Sequence, residues 1–289
     1  MLLSTQTSGV VGRFGFEQGV KILHDAGYDC LDLSLFEMVD DKSVYVQENW
    51  RETVEARKKY ADENGIVFDQ SHAPFSFRWD KPEIFEIGKK RVEQSLEISA
   101  MMGVKNVVVH PLHWFPYKGY EKEAFDMNVS YYKELIPLCR DFGVKVALEN
   151  MWQREVKRKC ISDDVASRAA EHVALLDTID SEYVVGCLDL GHVALIGEEP
   201  EDTIRALGHD RLKALHVHDN SYTNDDHLLP GQGKLNWDAI MAALKEIDYD
   251  GVFTYEADGF LRNWKNDYVP MACKFMEQTG RYLLKKLED

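Results

Sequence analysis

Short apolar runs alternate with longer amphipathic segments along the chain, and this alternation occurs eight times. Runs of about four to eight mostly apolar residues are typical of buried strands, whereas apolar positions three and four apart are typical of helices. Several of the amphipathic segments stop at a glycine, as at Gly65, Gly103 and Gly143, which is a common residue after a last helical turn. The predicted strands span residues 2–6, 28–35, 67–72, 106–110, 144–149, 184–189, 212–218 and 252–256, and the predicted helices span 16–26, 50–64, 84–102, 128–142, 167–179, 201–207, 237–247 and 271–287.

Eight strand–helix units with short connections predict a closed parallel barrel rather than an open sheet. The fold class is therefore expected to be α/β, a (β/α)8 TIM barrel in which residues 1–289 form a single domain. The length of 289 residues suits this architecture, which takes about 250 residues. We find no low-complexity tract or linker that would indicate a domain boundary.

The segment 184–192 is the most informative of these units. An apolar run leads into Asp189, and His192 follows after a glycine that allows the chain to turn back. A carboxylate and an imidazole placed together at the end of a buried strand are good ligands for a divalent metal. A helix-capping aspartate beside a solvated histidine is the alternative.

The ends of six consecutive predicted strands carry side chains of the same kind. In a TIM barrel the carboxyl ends of the strands converge on one face, where active sites are found. Six metal-competent side chains in this pattern predict a metal centre at that face. We expect His216 and His218, two apart on one predicted strand, to point to opposite faces. His216 is then expected to reach into the barrel mouth and His218 to be a packed histidine. The strand-end residues are His72, His110, Glu149, Asp189, His216 and Glu256, and the histidines expected to be solvated are His24, His172 and His209.

The charge balance narrows the range of partners. The chain has 34 basic and 50 acidic residues, which gives a formal net charge of −16. Such a surface disfavours a nucleic-acid partner, because affinity for phosphate backbones rests largely on Lys and Arg. Five dispersed cysteines without a CxxC pair, no membrane-length apolar run and no basic leader predict a cytoplasmic protein with reduced thiols. A small neutral or singly charged substrate is the expected partner, and a homo-oligomer is compatible with the sequence.

Four short motifs resemble the xylose isomerase-like TIM-barrel superfamily, and the resemblance spans essentially the whole chain. The superfamily contains sugar and inosose isomerases, ketose 3-epimerases, hydroxypyruvate isomerase and endonuclease IV. The motifs are specific for the superfamily and much less specific for the reaction. They are ALEN at 147–150, LDLGH at 188–192, HVHDN at 216–220 and LPGQG at 229–233.

In the isomerase and epimerase branch, the resemblance implies a divalent metal held by Glu149, Asp189, His216 and Glu256. Manganese, magnesium, cobalt or zinc would suit this mostly hard donor set. Glu149 and Glu256 would transfer protons on opposite sides of a sugar or related polyol-ketone through a cis-enediolate. His192 would hydrogen-bond a substrate oxygen. Trp114, with Phe115, would cover the apolar face of the sugar, or would form a hydrophobic patch on the barrel rim.

The segment after the seventh strand points to the endonuclease branch instead. Asp225 and His227 match the Asp-x-His that supplies ligands to the three-zinc cluster of endonuclease IV, and residues 219–233 lack the arginine of many epimerases. More than one metal ion and phosphodiester hydrolysis are therefore the alternative. Against it stand the acidic charge, the absence of a glycine-containing stretch after Glu149 and the isolation of the basic run 157–159. A non-catalytic metal-binding subunit is a further alternative.

The loop 230–234 allows two interpretations. Loops after the seventh and eighth strands of a TIM barrel often bind phosphate, and Lys234 would supply the countercharge. A GxG sequence by itself is weak evidence, and a simple tight turn explains the loop equally well.

Overall fold

The structure is a computed structural model that describes residues 1–75, 80–113, 116–155 and 157–287. Its centre is a parallel barrel of eight strands, flanked by helices, which confirms the predicted TIM barrel and its single α/β domain. The strands are β1 (Leu3–Thr5), β2 (Leu31–Ser34), β3 (Phe68–His72), β4 (Asn106–Val109), β5 (Lys145–Glu149), β6 (Trp152–Glu155), β7 (Cys160–Asp163), β8 (Val184–Asp189), β9 (Leu212–His216) and β10 (Phe253–Tyr255). Six neighbouring strands form one continuous sheet in the order β2-β3-β4-β5-β8-β9, and β1 pairs with β10.

Single bridges join the two sheets and close the barrel. On one side, the Thr7 amide donates to the Asp32 carbonyl at 3.1 Å, beside the bridge between Gln6 and Asp32. On the other side, the Val217 amide donates to the Thr254 carbonyl at 2.9 Å. Every strand of the barrel therefore has a neighbour on both sides, and the carboxyl ends of the strands face the same rim.

Helices surround the barrel because each strand is followed by a chain segment that buries one apolar stripe against the sheet. The two longest, α4 and α5, end where Gly103 and Gly143 adopt left-handed backbone conformations with φ of 83° and 72°, as their sequences predicted. The helices are α1 (Ser8–Phe14), α2 (Phe16–Ala26), α3 (Trp50–Glu63), α4 (Pro82–Met102), α5 (Glu121–Phe142), α6 (Ala169–Ile179), α7 (Leu190–Leu195), α8 (Pro200–Arg211), α9 (Trp237–Glu246), α10 (Asp258–Leu261) and α11 (Val269–Lys285).

The interior of the barrel is filled by side chains that alternate with those packed against the helices. On the side of β4, β5, β8 and β9 these inward side chains form a small apolar cluster below the rim, separate from the main core. This apolar cluster lies directly below the polar groups of the rim, so these groups lie in a low-dielectric environment. Its members are Val108, Ala147, Val185, Cys187 and Ala214.

An antiparallel hairpin follows the fifth barrel strand and was not predicted. Strands β6 and β7 pair from Trp152 with Asp163 to Glu155 with Cys160. The short helices α1 and α7 are also additions to the predicted elements. Among the described residues, no helix has the length and apolarity that crossing a bilayer requires.

Candidate metal centre

Glu149 lies at the centre of the rim, at the last position of β5, and is 1% exposed. Its two carboxylate oxygens face different neighbours. Oε1 is 2.9 Å from Nδ1 of His216, whereas Oε2 is 3.0 Å from Nε2 of His110 and 3.5 Å from Nε2 of His72. The carboxylate therefore lies between His216 of β9 on one side and His72 of β3 with His110, the residue after β4, on the other.

Four donor residues at the rim form one group, called the inner group here: Glu149, Asp189, His216 and Glu256. Nδ1 of His216 lies 3.1 Å from Oε2 of Glu256 and 4.0 Å from Oδ2 of Asp189. One donor atom from each of the four residues lies within 4.8 Å of all the others, and all four side chains are buried. The structure thus brings the side chains of these four strand ends together.

Four further donor residues at the rim form a second group, called the outer group here: His192, His218, Asp225 and His227. Oδ2 of Asp225 is 3.4 Å from Nε2 of His192 and 3.2 Å from Nε2 of His227. His218 and His227 stack with ring centroids 4.2 Å apart and an interplanar angle of 3°. Asp189 connects the two groups, because both of its carboxylate oxygens lie 3.0 Å from Nε2 of His218.

Backbone carbonyl groups fix the orientation of three histidine rings through Nδ1. Nδ1 of His72 lies 2.7 Å from the Ala73 carbonyl, Nδ1 of His192 lies 2.8 Å from the Asn150 carbonyl, and Nδ1 of His227 lies 2.7 Å from the Glu256 carbonyl. A carbonyl can only accept, so each Nδ1 is the donor and Nε2 is directed at the carboxylates. Metal-binding histidines in proteins usually show this arrangement.

The histidines of the site stabilise the charges of its buried carboxylates. Burial by itself would raise the pKa of Glu149, but His216 and His110 outweigh burial and hold the pKa of this carboxyl well below its usual range. Burial lowers the pKa of His192, yet the carboxylates of Asp189 and Asp225 outweigh it and raise that pKa to about 10. Burial outweighs the Glu149 charge at His110 and lowers its pKa to about 4. Without a metal, protonated imidazoles therefore supply the countercharge to the buried carboxylates.

The donor set fits divalent cations. Oε2 of Glu149 and Oδ1 of Asp225 are buried and accept no hydrogen bond from any described residue, although imidazole nitrogens lie 3.0 and 3.8 Å away. Donor atoms that crowd together without hydrogen-bond geometry are what a shared cation requires, and a cation there would replace the protonated imidazoles as the partner of these buried carboxylates. Carboxylates with imidazoles suit manganese, zinc or cobalt.

The interpretation of His218 as a packed histidine outside the site is wrong. Residues two apart on a strand point to the same face, so His216 and His218 both project into the barrel mouth. His172 was expected to be solvated and is instead fully buried, with Nε2 3.1 Å from the Leu148 carbonyl.

Asn150 is a further site residue that the sequence analysis did not single out. Its side-chain oxygen accepts from the Asp189 amide at 2.8 Å, and its side-chain amide donates to the Asp189 carbonyl at 3.1 Å. The Asp189 carboxylate in turn accepts from the His192 amide at 2.7 Å and caps α7. These bonds confirm that the chain turns His192 back towards Asp189, and they clamp the ends of β5 and β8 together.

The two remaining predicted substrate contacts are Trp114 and Lys234. Trp114 lies outside the described residues. Lys234 is exposed and its ammonium lies 5.7 Å from the centre of the Tyr222 ring. The loop around it is organised by Asp219, whose carboxylate accepts from the amides of Gly231 and Leu235 at 2.9 and 3.1 Å, so these amides already have an anion partner.

The family model described as "Xylose isomerase-like TIM barrel" matches residues 20–278, and the chain belongs to this family. Inosose isomerase of Bacillus subtilis is 27% identical over 192 residues, which cover 64% of this chain and 63% of that protein. A probable endonuclease 4 of Staphylococcus carnosus is 26% identical over 202 residues, which also cover 64% and 63%. The alignments thus span less than two thirds of either relative, and both predicted branches are represented.

Solved structures share the fold across the whole chain. A D-tagatose 3-epimerase-like protein superimposes with a TM-score of 0.75 at 19% identity, covering 99% of this chain and 100% of the other. The IOLI protein with a bound zinc atom superimposes with a TM-score of 0.74 at 20% identity, covering 99% and 98%. At this level of identity the superpositions establish the barrel and leave the chemistry to the site itself.

Proposed function

We propose that this protein is a divalent-metal-dependent isomerase or epimerase of a sugar, a sugar phosphate or a related polyol-ketone. The observation that carries the proposal is the inner group, in which two glutamates, one aspartate and one histidine meet at the carboxyl rim with their donor atoms within 4.8 Å. The inosose isomerase relative and the epimerase-like structural neighbour support it.

Glu149, Asp189, His216 and Glu256 would hold the metal, which would supply Lewis-acid polarisation of a carbonyl and hydroxyl oxygen pair. The two glutamates would divide the proton transfers. Glu256 is 8% exposed and Glu149 is 1% exposed, so Glu256 is the more accessible base at the mouth. Removal of a proton beside the carbonyl and its return to a different carbon or face give isomerisation or epimerisation.

The hairpin places an aromatic side chain beside the site. The ring of Trp152 lies 6.4 Å from the ring of His192, and the guanidinium of Arg154 lies 5.8 Å from the Trp152 ring. An indole at this position would cover the apolar face of a sugar, the role that the sequence analysis gave to Trp114. His192 directs Nε2 at two carboxylates, so its proposed role shifts from substrate contact to metal ligand.

The test is exchange of carbon-bound hydrogen with solvent. Protein loaded with manganese is incubated in deuterium oxide with ketohexoses, ketopentoses and inososes, and proton spectra record the loss of hydrogen signals next to the carbonyl. Exchange is expected for at least one substrate, with none for Glu149→Gln or Glu256→Gln. Glu246→Gln alters an exposed residue of α9 that pairs with Arg205, and this control is expected to retain exchange. No exchange with any substrate would contradict the proposal.

Phosphodiester hydrolysis is the second candidate, and a specific observation favours it. Glu149 directs its two oxygens at separate donor sets, and Asp225 with His227 joins the rim, as a multi-metal hydrolase requires. Zinc-dependent cleavage of bis(p-nitrophenyl) phosphate or of an abasic-site duplex, without hydrogen exchange into ketoses, would establish this function instead. Bound metal with neither activity would indicate a non-catalytic metal-binding subunit.

A further inference from the structure

The hairpin of β6 and β7 places a cation beside the metal centre. Residues two apart on a strand share a face, so Arg154 lies on the same face of β6 as Trp152, whose ring is 6.4 Å from the ring of His192. Gln153 lies on the opposite face, where its side-chain oxygen accepts from the Tyr117 amide at 3.3 Å. The face of β6 that is directed at the rim therefore carries an indole followed by a guanidinium.

The same guanidinium reaches the loop that carries Asp225. Its Nη2 lies 3.4 Å from the side-chain oxygen of Asn224, the residue before Asp225, and its central carbon lies 5.8 Å from the centre of the Trp152 ring. Oδ2 of Asp225 is in turn 3.4 Å from Nε2 of His192. Arg154 thus bridges the hairpin and the loop after β9 at the mouth of the barrel.

Arg154 lacks the carboxylate partner that most arginines of this chain have. Its long contact with Asn224 is its one hydrogen bond to a described residue, and it forms no ion pair with a described carboxylate, so most of its N–H donors are free for a ligand. The arginines that pair with a carboxylate include Arg51, Arg91, Arg168, Arg205, Arg211 and Arg281.

The chemistry of a free guanidinium at this position favours an anion. Arginine binds carboxylate and phosphate groups through paired N–H donors. The formal net charge of −16 repels anionic ligands in general, so an unpaired cation at the mouth determines where an anionic group is accepted. An indole beside the metal centre, with a guanidinium beyond it, suits a sugar that packs on Trp152 and carries a charge at its far end.

We infer that Arg154 determines substrate specificity by binding a terminal anionic group, carboxylate or phosphate, at the end of the substrate remote from the reacting carbons. The inference rests on the proposed function and names its substrates as sugar acids or sugar phosphates rather than neutral sugars. A nucleic-acid duplex is a poorer occupant, because its affinity comes from many phosphate contacts, whereas the neighbouring Arg158 is already paired with Glu155 at 3.3 Å.

Ligand binding without turnover tests the inference. Protein loaded with manganese is titrated calorimetrically with neutral ketohexoses and ketopentoses, and with the same sugars carrying a terminal phosphate or a terminal carboxylate. We expect at least one charged ligand to bind about 10-fold or more tightly than its neutral counterpart, and the two charged series show which anion is preferred. Neutral sugars that bind as tightly as every charged counterpart, or charged ligands that do not bind at all, would overturn the inference.

Variants separate a specificity role from support of the hairpin. Arg154→Gln keeps an N–H donor for Asn224 but removes the charge, so we expect affinity for the charged ligand to fall about 10- to 100-fold while affinity for its neutral counterpart stays unchanged. In turnover, KM for the charged substrate should rise with little change in kcat. Arg158→Gln, on the same hairpin, is the matched control and should alter neither. Equal losses for charged and neutral ligands in Arg154→Gln would contradict the inference, and thermal melts establish that each variant is folded.

The outcome is distinguishable from that of the proposed function. A preference for charged ligands that depends on Arg154, in a protein that shows no hydrogen exchange, would refute the isomerase proposal and leave this inference intact. Glutamate-dependent exchange of neutral sugars that is unchanged in Arg154→Gln would do the reverse. Weaker binding of an abasic-site duplex by Arg154→Gln, with no effect on any sugar ligand, would assign Arg154 to a nucleic-acid backbone and also overturn the inference.

Discussion

The inner and outer groups sit side by side at one rim and are built in different ways. The inner group comes from the barrel: Glu149, Asp189 and His216 are the last residues of β5, β8 and β9, and Glu256 follows β10 directly. Its strands pair in register, with Asp189 opposite His216. Backbone pairing therefore fixes the positions of these side chains before any ligand binds.

The outer group depends on loops. Asp225 and His227 lie in the segment between β9 and α9, and their side chains are 21% and 19% exposed. His227 has a φ of 49°, a left-handed conformation that costs about 1–2 kcal/mol for a residue with a Cβ. Its bond to the Glu256 carbonyl and its stack on His218 offset that cost. The comparison teaches that the barrel strands themselves supply the carboxylate-rich group, while a loop with a strained residue at His227 completes the imidazole-rich group.

The largest effect is expected at Glu149, because its carboxylate lies between His216 of the inner group and the His72–His110 pair. Glu149→Gln removes a ligand and a proton-transfer group together, and we expect hydrogen exchange to fall by about 1000-fold or more. Exchange rates and bound manganese are both measured. Residual exchange above a tenth of the parent rate would show that the inner group is not the catalytic centre.

Asp225→Asn is the substitution that most directly distinguishes metal binding by the outer group from metal binding by the inner group. We expect the variant to lose zinc from the outer group, with an affinity reduced about 10- to 100-fold, and to keep manganese in the inner group. Metal content after dialysis against each ion is the measurement, with Asp226→Asn as a neighbouring substitution outside the outer group. Equal loss of both ions from Asp225→Asn would mean that the groups form one centre.

Gly191→Ala tests the packing that orients His218. A methyl group at this position overlaps the imidazole, so we expect a loss of about 1–3 kcal/mol in the free energy of unfolding together with weaker zinc binding. Gly12→Ala in α1, where a Cβ meets no atom within 4 Å, is the matched control and should be neutral or slightly stabilising. Unchanged zinc binding in Gly191→Ala would show that packing at this glycine does not affect the metal site.

The smallest effect expected is on the pH dependence of stability without metal. Burial opposes the charged form of His192, but Asp189 and Asp225 raise its pKa to about 10. A histidine whose pKa exceeds the unfolded value of about 6.5 stabilises the fold below that pH, and the contribution disappears as the pH rises through 10. We expect metal-free protein to lose about 1–3 kcal/mol between pH 7 and pH 10.

Urea unfolding across this pH range measures the decline, and His192→Gln should flatten it. His209→Gln, which changes an exposed histidine, should leave the curve unaltered. Parallel curves for the parent and His192→Gln would show that His192 is not the charged partner of these carboxylates.

Most of what the sequence predicted rested on the regular repeat of its strands. In a parallel barrel each strand ends at the same rim, so the chemistry of Glu149 and Glu256 follows from their place in the repeat. The hairpin of β6 and β7 was missed because residues 152–163 are largely polar and show no clear alternation. The clamp of Asn150 on β8 and the space that Gly191 leaves for His218 are contacts between distant segments, which no local pattern records.

The central claim is that side chains from neighbouring strands of the barrel share a cation at its carboxyl rim. A crystal structure of the protein grown with manganese, with anomalous data collected at the manganese edge, tests it most directly. We expect one strong peak within coordination distance of Glu149, Asp189, His216 and Glu256. Well-ordered side chains that keep their mutual hydrogen bonds, with no peak among them at millimolar manganese, would contradict it.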